Sequence, residues 1–128
     1  MKQEQKELLL KDLCARLPYD VKVQIKNVNE ICTLKEIDCS SDEMSVAVEH
    51  ENGELCGYDF EHSKPYLFPL ESMTLEQRIE YSKTLVIFDE SHCSQTSETY
   101  DWFNKNKFDY RGLIPMGLAN DATGLNIY

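Results

Sequence analysis

Long apolar runs are absent from this sequence. The longest aliphatic or aromatic stretches are Leu8-Leu9-Leu10 and Leu85-Val86-Ile87-Phe88. A membrane-spanning helix needs about 20 such residues, so none is expected. Residues 1–7 lead into only three leucines before Lys11 and Asp12. That is neither the apolar stretch nor the small-residue cleavage site of a secretory signal, and the expected location is cytoplasmic. Glycine is scarce: there are five, all isolated, which excludes a phosphate-cradling glycine loop and a Gly-x-Ser-x-Gly nucleophile elbow. Basic charge is scarce as well. Thirteen Lys and Arg face 23 Asp and Glu, for a net charge of −10, which argues against binding nucleic acid by broad neutralisation of phosphates. The five cysteines, Cys14, Cys32, Cys39, Cys56 and Cys93, are odd in number and scattered. They fit reduced thiols, mostly small buried hydrophobes, better than a disulfide framework.

The apolar material present suits a single domain of 128 residues, since 41% hydrophobic and 10% aromatic residues fill one core. In residues 3–17, Leu9, Leu10, Leu13, Cys14 and Leu17 recur at spacings of three and four, with Glu4, Lys6, Lys11 and Arg16 at other positions. This predicts an amphipathic helix, ended by Pro18. Val21, Val23 and Ile25 then alternate with Lys22, Gln24 and Lys26, which predicts a half-buried strand. A second strand is expected from residue 31 to about 37, followed by the polar loop Cys39-Ser40-Ser41-Asp42-Glu43. Met44, Val46 and Val48 begin a third. Asn52-Gly53 predicts a two-residue hairpin turn with positive φ at both positions, and Cys56, Tyr58 and Phe60 should form the core face of the returning strand. Residues 64–70 carry Pro65 and Pro69, so an edge strand or extended segment is expected there.

Thr74-Leu75-Glu76-Gln77 has the spacing of a capping box. It predicts a helix from 75 to about 88 with Leu75 and Ile79 on its apolar face, although Val86-Ile87-Phe88 also suits a short strand. Residues 89–96 read as a polar loop, and Ser97 as the cap of a short helix through Trp102. The tail should be irregular apart from a turn near Leu113, and its unpolarised end, Leu125-Asn126-Ile127-Tyr128, could add a strand to a neighbouring chain. The expected architecture is α+β: a helix over 1–17, a small antiparallel sheet over 21–70, and helices with an irregular tail over 74–128. The sheet is expected to form an SH3-like barrel or a half-open sheet covered by the flanking helices.

The densest charge feature runs from Glu36 to Glu61, where nine carboxylates occur without one Lys or Arg. Asp42, Glu43, Glu49, Glu51 and Glu54 are the candidate surface for a basic protein partner, because a field of one sign steers an oppositely charged surface. The same charge also keeps an ordinary sheet face solvated. The alternative binding segment is Trp102, Lys105, Lys107, Tyr110 and Arg111, an aromatic and basic mixture able to stack bases in a nucleic-acid accessory role. Packing of those rings onto the sheet is the structural alternative. Chemistry is poorly provided for. His92-Cys93, and Ser91 with His92 and Asp89, are neighbours in sequence without the geometry a nucleophile needs, and Asp42, Glu43 and the Asp89-Glu90 pair lack the Gly-bearing pattern of a calcium loop. Cys32 with Cys39, and His50 with His62, do not match the local pairs of a zinc site. No catalytic residue, metal or cofactor is expected, and an enzyme or metal protein ranks last.

Two stretches, Lys64-Pro65-Tyr66-Leu67-Phe68-Pro69-Leu70-Glu71-Ser72-Met73-Thr74 and Phe108-Asp109-Tyr110-Arg111-Gly112-Leu113-Ile114, resemble small uncharacterised proteins encoded by phages and prophages of gut bacteria. The resemblance covers most of the chain from the first strand onward and carries no activity to transfer. It implies a mobile-element setting in a bacterial cytoplasm, where a small acidic protein would act by binding a host or phage protein.

Overall fold

The computed structural model describes residues 1–40 and 42–128; Ser41, in the expected polar loop, lies outside them. Helix α1 (Gln3–Arg16) leads through a 3-10 turn at Leu17–Tyr19 into strands β1 (Lys22–Ile25), β2 (Ile31–Asp38), β3 (Ser45–Glu49) and β4 (Leu55–Asp59). A second 3-10 turn, Phe60–His62, precedes β5 (Ser63–Leu67). Helix α2 (Leu75–Lys83), the strand pair β6 (Val86–Asp89) and β7 (His92–Ser94), helix α3 (Ser97–Lys105) and the two-residue strand β8 (Asn120–Asp121) complete the chain.

The strand order is β4-β3-β2-β1-β5-β8. All pairs in this sheet are antiparallel except β5 with β8, which is parallel, so the fold is α+β with a mixed six-stranded sheet that does not close into a barrel among the described residues. A register shift between Leu34 and Glu36 marks a bulge in β2, which increases local twist. Strand β5 is internal rather than an edge, since β1 flanks it on one side and β8 on the other. Pro65 is tolerated because β8 pairs only with Tyr66 and Leu67. The β3–β4 turn is also longer than expected. Gly53 N–H donates to His50 C=O at 2.9 Å, and His50 N–H donates to Glu54 C=O at 2.8 Å. Gly53 alone there has positive φ, at 87°, which is a type I turn completed by a left-handed glycine.

The core has two parts. Leu9 and Leu13 of α1 pack with Val21, Val23, Ile25, Leu34, Val46, Val48, Phe60, Leu67 and Leu113. Beside this aliphatic part lies an aromatic one. Phe103 stacks on Tyr110 at 5.3 Å, Trp102 stacks on Phe108 at 5.4 Å, and Tyr81 of α2 stacks on Phe103 at 5.3 Å.

The buried stripe of α1 corrects the sequence expectation. Asp12 and Arg16 are fully buried with Leu9 and Leu13, whereas Cys14 is exposed. Arg16 Nε donates to Asp12 Oδ2 at 2.9 Å, and its Nη2 donates to Phe108 C=O at 2.6 Å. Arg111 Nη1 donates to Asp12 Oδ1 at 2.9 Å. One carboxylate therefore holds two guanidiniums, and these tie α1 to α3 and the tail. Asp109 supports the same region, accepting from Leu113 N–H and Ile114 N–H at 2.9 Å each. The last residue is tethered within the chain. Tyr128 Oη donates to Tyr66 C=O at 2.7 Å and accepts from Lys22 N–H at 2.8 Å.

Candidate functional site

Residues 75–94 form an arm that contributes nothing to the aliphatic part of the core and only Tyr81 to the aromatic part. Thr74 caps α2 as expected, with its hydroxyl accepting from Gln77 N–H at 3.2 Å and Gln77 Oε1 accepting from Thr74 N–H at 2.8 Å. The helix ends after nine residues and has no buried side chain. Leu75 is 75% exposed and Ile79 50%, contrary to the expectation that they face the core. Val86-Ile87-Phe88 belongs to a strand, and the expected polar loop supplies its partner β7. Every residue of both strands is exposed, with Ile87 at 71% and Phe88 at 70%.

Two devices hold this arm. At its root, Thr96 Oγ1 donates to Thr84 C=O at 3.0 Å and Thr99 Oγ1 to the same oxygen at 3.2 Å, while Tyr81 inserts into the aromatic cluster. At its tip, Asp89 accepts from Ser91 N–H at 2.8 Å and from His92 Nδ1 at 2.9 Å. The His92 contact, followed by the Ser91 amide, pulls the Asp89 carboxyl below the usual carboxylate range. His92 and Cys93 are successive residues of β7, so their side chains leave opposite faces of the strand and form no nucleophile–base pair. A two-stranded ribbon on its own is marginally stable in water. This ribbon nonetheless displays three consecutive large apolar residues to solvent.

The five candidate acidic residues are divided between the two ends of β3. Asp42 and Glu43 precede the strand; Glu51 and Glu54 lie in the turn after it, with Glu49 at its last position. Asp42, Glu51 and Glu54 are exposed.

The aromatic and basic segment is largely turned inward. Trp102 and Tyr110 spend ring faces on Phe108 and Phe103. Arg111 is committed to Asp12 and lies over Tyr110, 4.4 Å from its centroid. Lys107 sits 5.0 Å above the Tyr128 ring, and burial pushes its ammonium pKa down. Lys105 remains exposed.

A further group is one that local spacing misses. The β2–β3 register, Thr33 opposite Glu49 and Leu34 opposite Val48, brings Cys32 beside His50, and Glu30 lies two residues before Cys32. The ligand atoms of Glu30, Cys32 and His50 all fall within 4.8 Å of one another. Cys32 Sγ is 3.7 Å from His50 Nδ1, the Glu30 carboxylate touches the same nitrogen, and His50 Nε2 shares a 2.9 Å hydrogen bond with the Tyr58 hydroxyl. Burial, followed by the Glu30 charge, pushes the Cys32 thiol pKa up. No local Cys-x2-Cys or His-x3-His signal could have found this group, because its members meet only across strands. The alternation of Cys32, Leu34, Val48 and His50 on one sheet face is the available clue.

No protein-family model, curated protein or solved structure matches this chain.

Proposed function

We propose that this chain is a non-enzymatic protein-binding module for a basic partner, with the arm of α2, β6 and β7 as its principal contact. The observation that carries this reading is the exposure of Leu75, Ile79, Val86, Ile87 and Phe88 together on an arm that buries none of them. Apolar surface concentrated in this way marks a place where another molecule docks. The sign of the partner follows from the charges around it. Between residues 75 and 98, Glu76, Glu80, Asp89, Glu90 and Glu98 outnumber Arg78 and Lys83, and the whole chain carries −10. A partner with basic residues around an apolar groove gains both attraction during approach and burial on contact. Asp42, Glu43, Glu49, Glu51 and Glu54 extend the negative field from the sheet and act on encounter rather than on the final contact.

The five antiparallel strands support an SH3-like reading of the sheet, because β5 returns to pair with β1 after a 3-10 turn. A phage or prophage setting, as the resemblance implies, suits a module whose work is to engage a host or phage protein. The nucleic-acid reading of Trp102, Lys105, Lys107, Tyr110 and Arg111 has less support, since most of that segment is occupied with internal contacts.

The test places a photo-reactive residue at position 88 in one protein and at position 54 in another, within bacterial host cells. A basic protein should be trapped at 88, and Ile79→Ser with Ile87→Ser should abolish the product. Cross-links from 88 only to a second copy, or only to acidic proteins, would overturn the basic-partner reading. A product formed at 54 and not at 88 would move the contact to the acidic turn.

A further inference from the structure

From the packing of Glu30, Cys32 and His50 at one end of the sheet, we infer a mononuclear zinc site, independent of the protein-binding reading. The donor set is one thiolate, one imidazole nitrogen and one carboxylate oxygen. This mixture of borderline and hard ligands suits Zn2+ better than the all-oxygen shells of Mg2+ or Ca2+. With Zn–S near 2.3 Å and Zn–N near 2.0 Å, the S···N edge of a tetrahedral site is about 3.6 Å. Cys32 Sγ and His50 Nδ1 are 3.7 Å apart, so these two ligands need almost no rearrangement. Glu30 supplies the third. It sits just before β2 with a side chain 34% exposed, so it can swing off His50 Nδ1 to admit the ion. The fourth tetrahedral position is left to water.

The surroundings are arranged as ligands require. A metal-bound histidine usually commits its other ring nitrogen to a hydrogen-bond partner, which fixes the tautomer. His50 Nε2 has one in the Tyr58 hydroxyl at 2.9 Å. That hydroxyl can donate to Nε2 while Nδ1–H faces Glu30, and accept from Nε2–H once the metal occupies Nδ1. The proton balance is therefore simple: Cys32 loses its thiol proton to solvent, and the imidazole proton moves from Nδ1 to Nε2. The strands hold the scaffold rigid. Cys32 pairs with Val23 in the β1–β2 ladder, and His50 N–H is bonded to Glu54 C=O. Cys32 is also buried, at 1% exposure, whereas Cys14, Cys39 and Cys93 are exposed. A thiol shielded beside an imidazole and a carboxylate differs from exposed thiols that collect metal without a site.

The test is cobalt and zinc titration of the purified, reduced, full-length chain. One Co2+ per chain should bind with a thiolate-to-metal charge-transfer band and the intense visible bands of tetrahedral cobalt, and one equivalent of Zn2+ should bleach them. Cys32→Ala and His50→Gln should each weaken binding at least 100-fold, and Tyr58→Phe about 10-fold, as loss of an outer partner does. The triple variant Cys14→Ser, Cys39→Ser, Cys93→Ser should leave the bands unchanged. Loss of the bands in that triple variant, or their persistence in Cys32→Ala, would show an adventitious ion only and overturn the site. So would their absence from the wild-type chain. If circular dichroism shows Cys32→Ala to be unfolded, Glu30→Gln decides at a partly exposed position. A fall in affinity of 10-fold or more supports the three-ligand site, and an unchanged affinity overturns it.

Discussion

Helix α1 buries Leu9, Asp12, Leu13 and Arg16, whereas α2 buries nothing. Helix α1 carries apolar residues three and four apart, and α2 carries Leu75 and Ile79 four apart. The difference lies in what faces each helix. The sheet covers α1, and Arg16 reaches through to Phe103 and Phe108 of the aromatic cluster. Only Tyr81 of α2 finds such company, packing against Trp102 and Phe103. Apolar spacing thus identifies a face that needs covering but not the surface that covers it. Where the chain itself supplies no cover, the face is available to a partner.

The comparison can be broken first on the α1 side. Asp12→Ala removes the carboxylate shared by two guanidiniums and leaves Arg16 buried without its charge partner, which should cost about 3–5 kcal/mol. Urea denaturation measures this, and a loss below about 1 kcal/mol would mean that the charges relax into solvent. Leu13→Ala comes next, with an expected loss of about 3 kcal/mol from a cavity under the sheet.

On the arm the expected effects shrink. Thr74→Ala removes the α2 cap and should cost about 1 kcal/mol, seen as faster amide exchange confined to residues 75–83; faster exchange throughout the molecule would tie α2 to the core after all. Ile87→Ser with Phe88→Ser should change global stability by no more than about 0.5 kcal/mol, yet eliminate cross-linking to a partner from position 79. A larger stability loss would show that the ribbon supports the fold. The smallest effect is acid loosening of the tip. The Asp89 pKa is lowered in the folded chain by His92 and Ser91. Its contribution is therefore present above the unfolded carboxyl pKa and lost as pH falls through the lowered value. Amide signals of residues 89–92 should shift in that range while those of β1 stay fixed.

Much of the body was legible in the sequence. Val21, Val23 and Ile25 alternate and are all buried, and Thr74 with Gln77 forms the expected capping box. These features depend on neighbours a few residues away. What escaped depends on distant partners. Arg16 looks like a solvated helix residue until Phe108 C=O and Asp12 enclose it, and Leu75 looks like core until no element arrives to cover it. Cys32 and His50 are 18 positions apart and meet only through strand pairing. The stretch from Phe108 to Ile114 is largely structural: Phe108 and Leu113 are buried, Asp109 holds a turn, and Arg111 pairs with Asp12.

The position of Trp102 has a practical consequence. It is the sole tryptophan. Its ring stacks on Phe108, touches Tyr81, and directs Nε1–H to Glu80 of α2 at 3.3 Å. Indole fluorescence therefore provides a label-free optical gauge of the joint between arm and body. Displacement of α2 would alter the emission before the sheet loses any strand, and a single cuvette measurement can follow the arm through temperature, salt or partner titration.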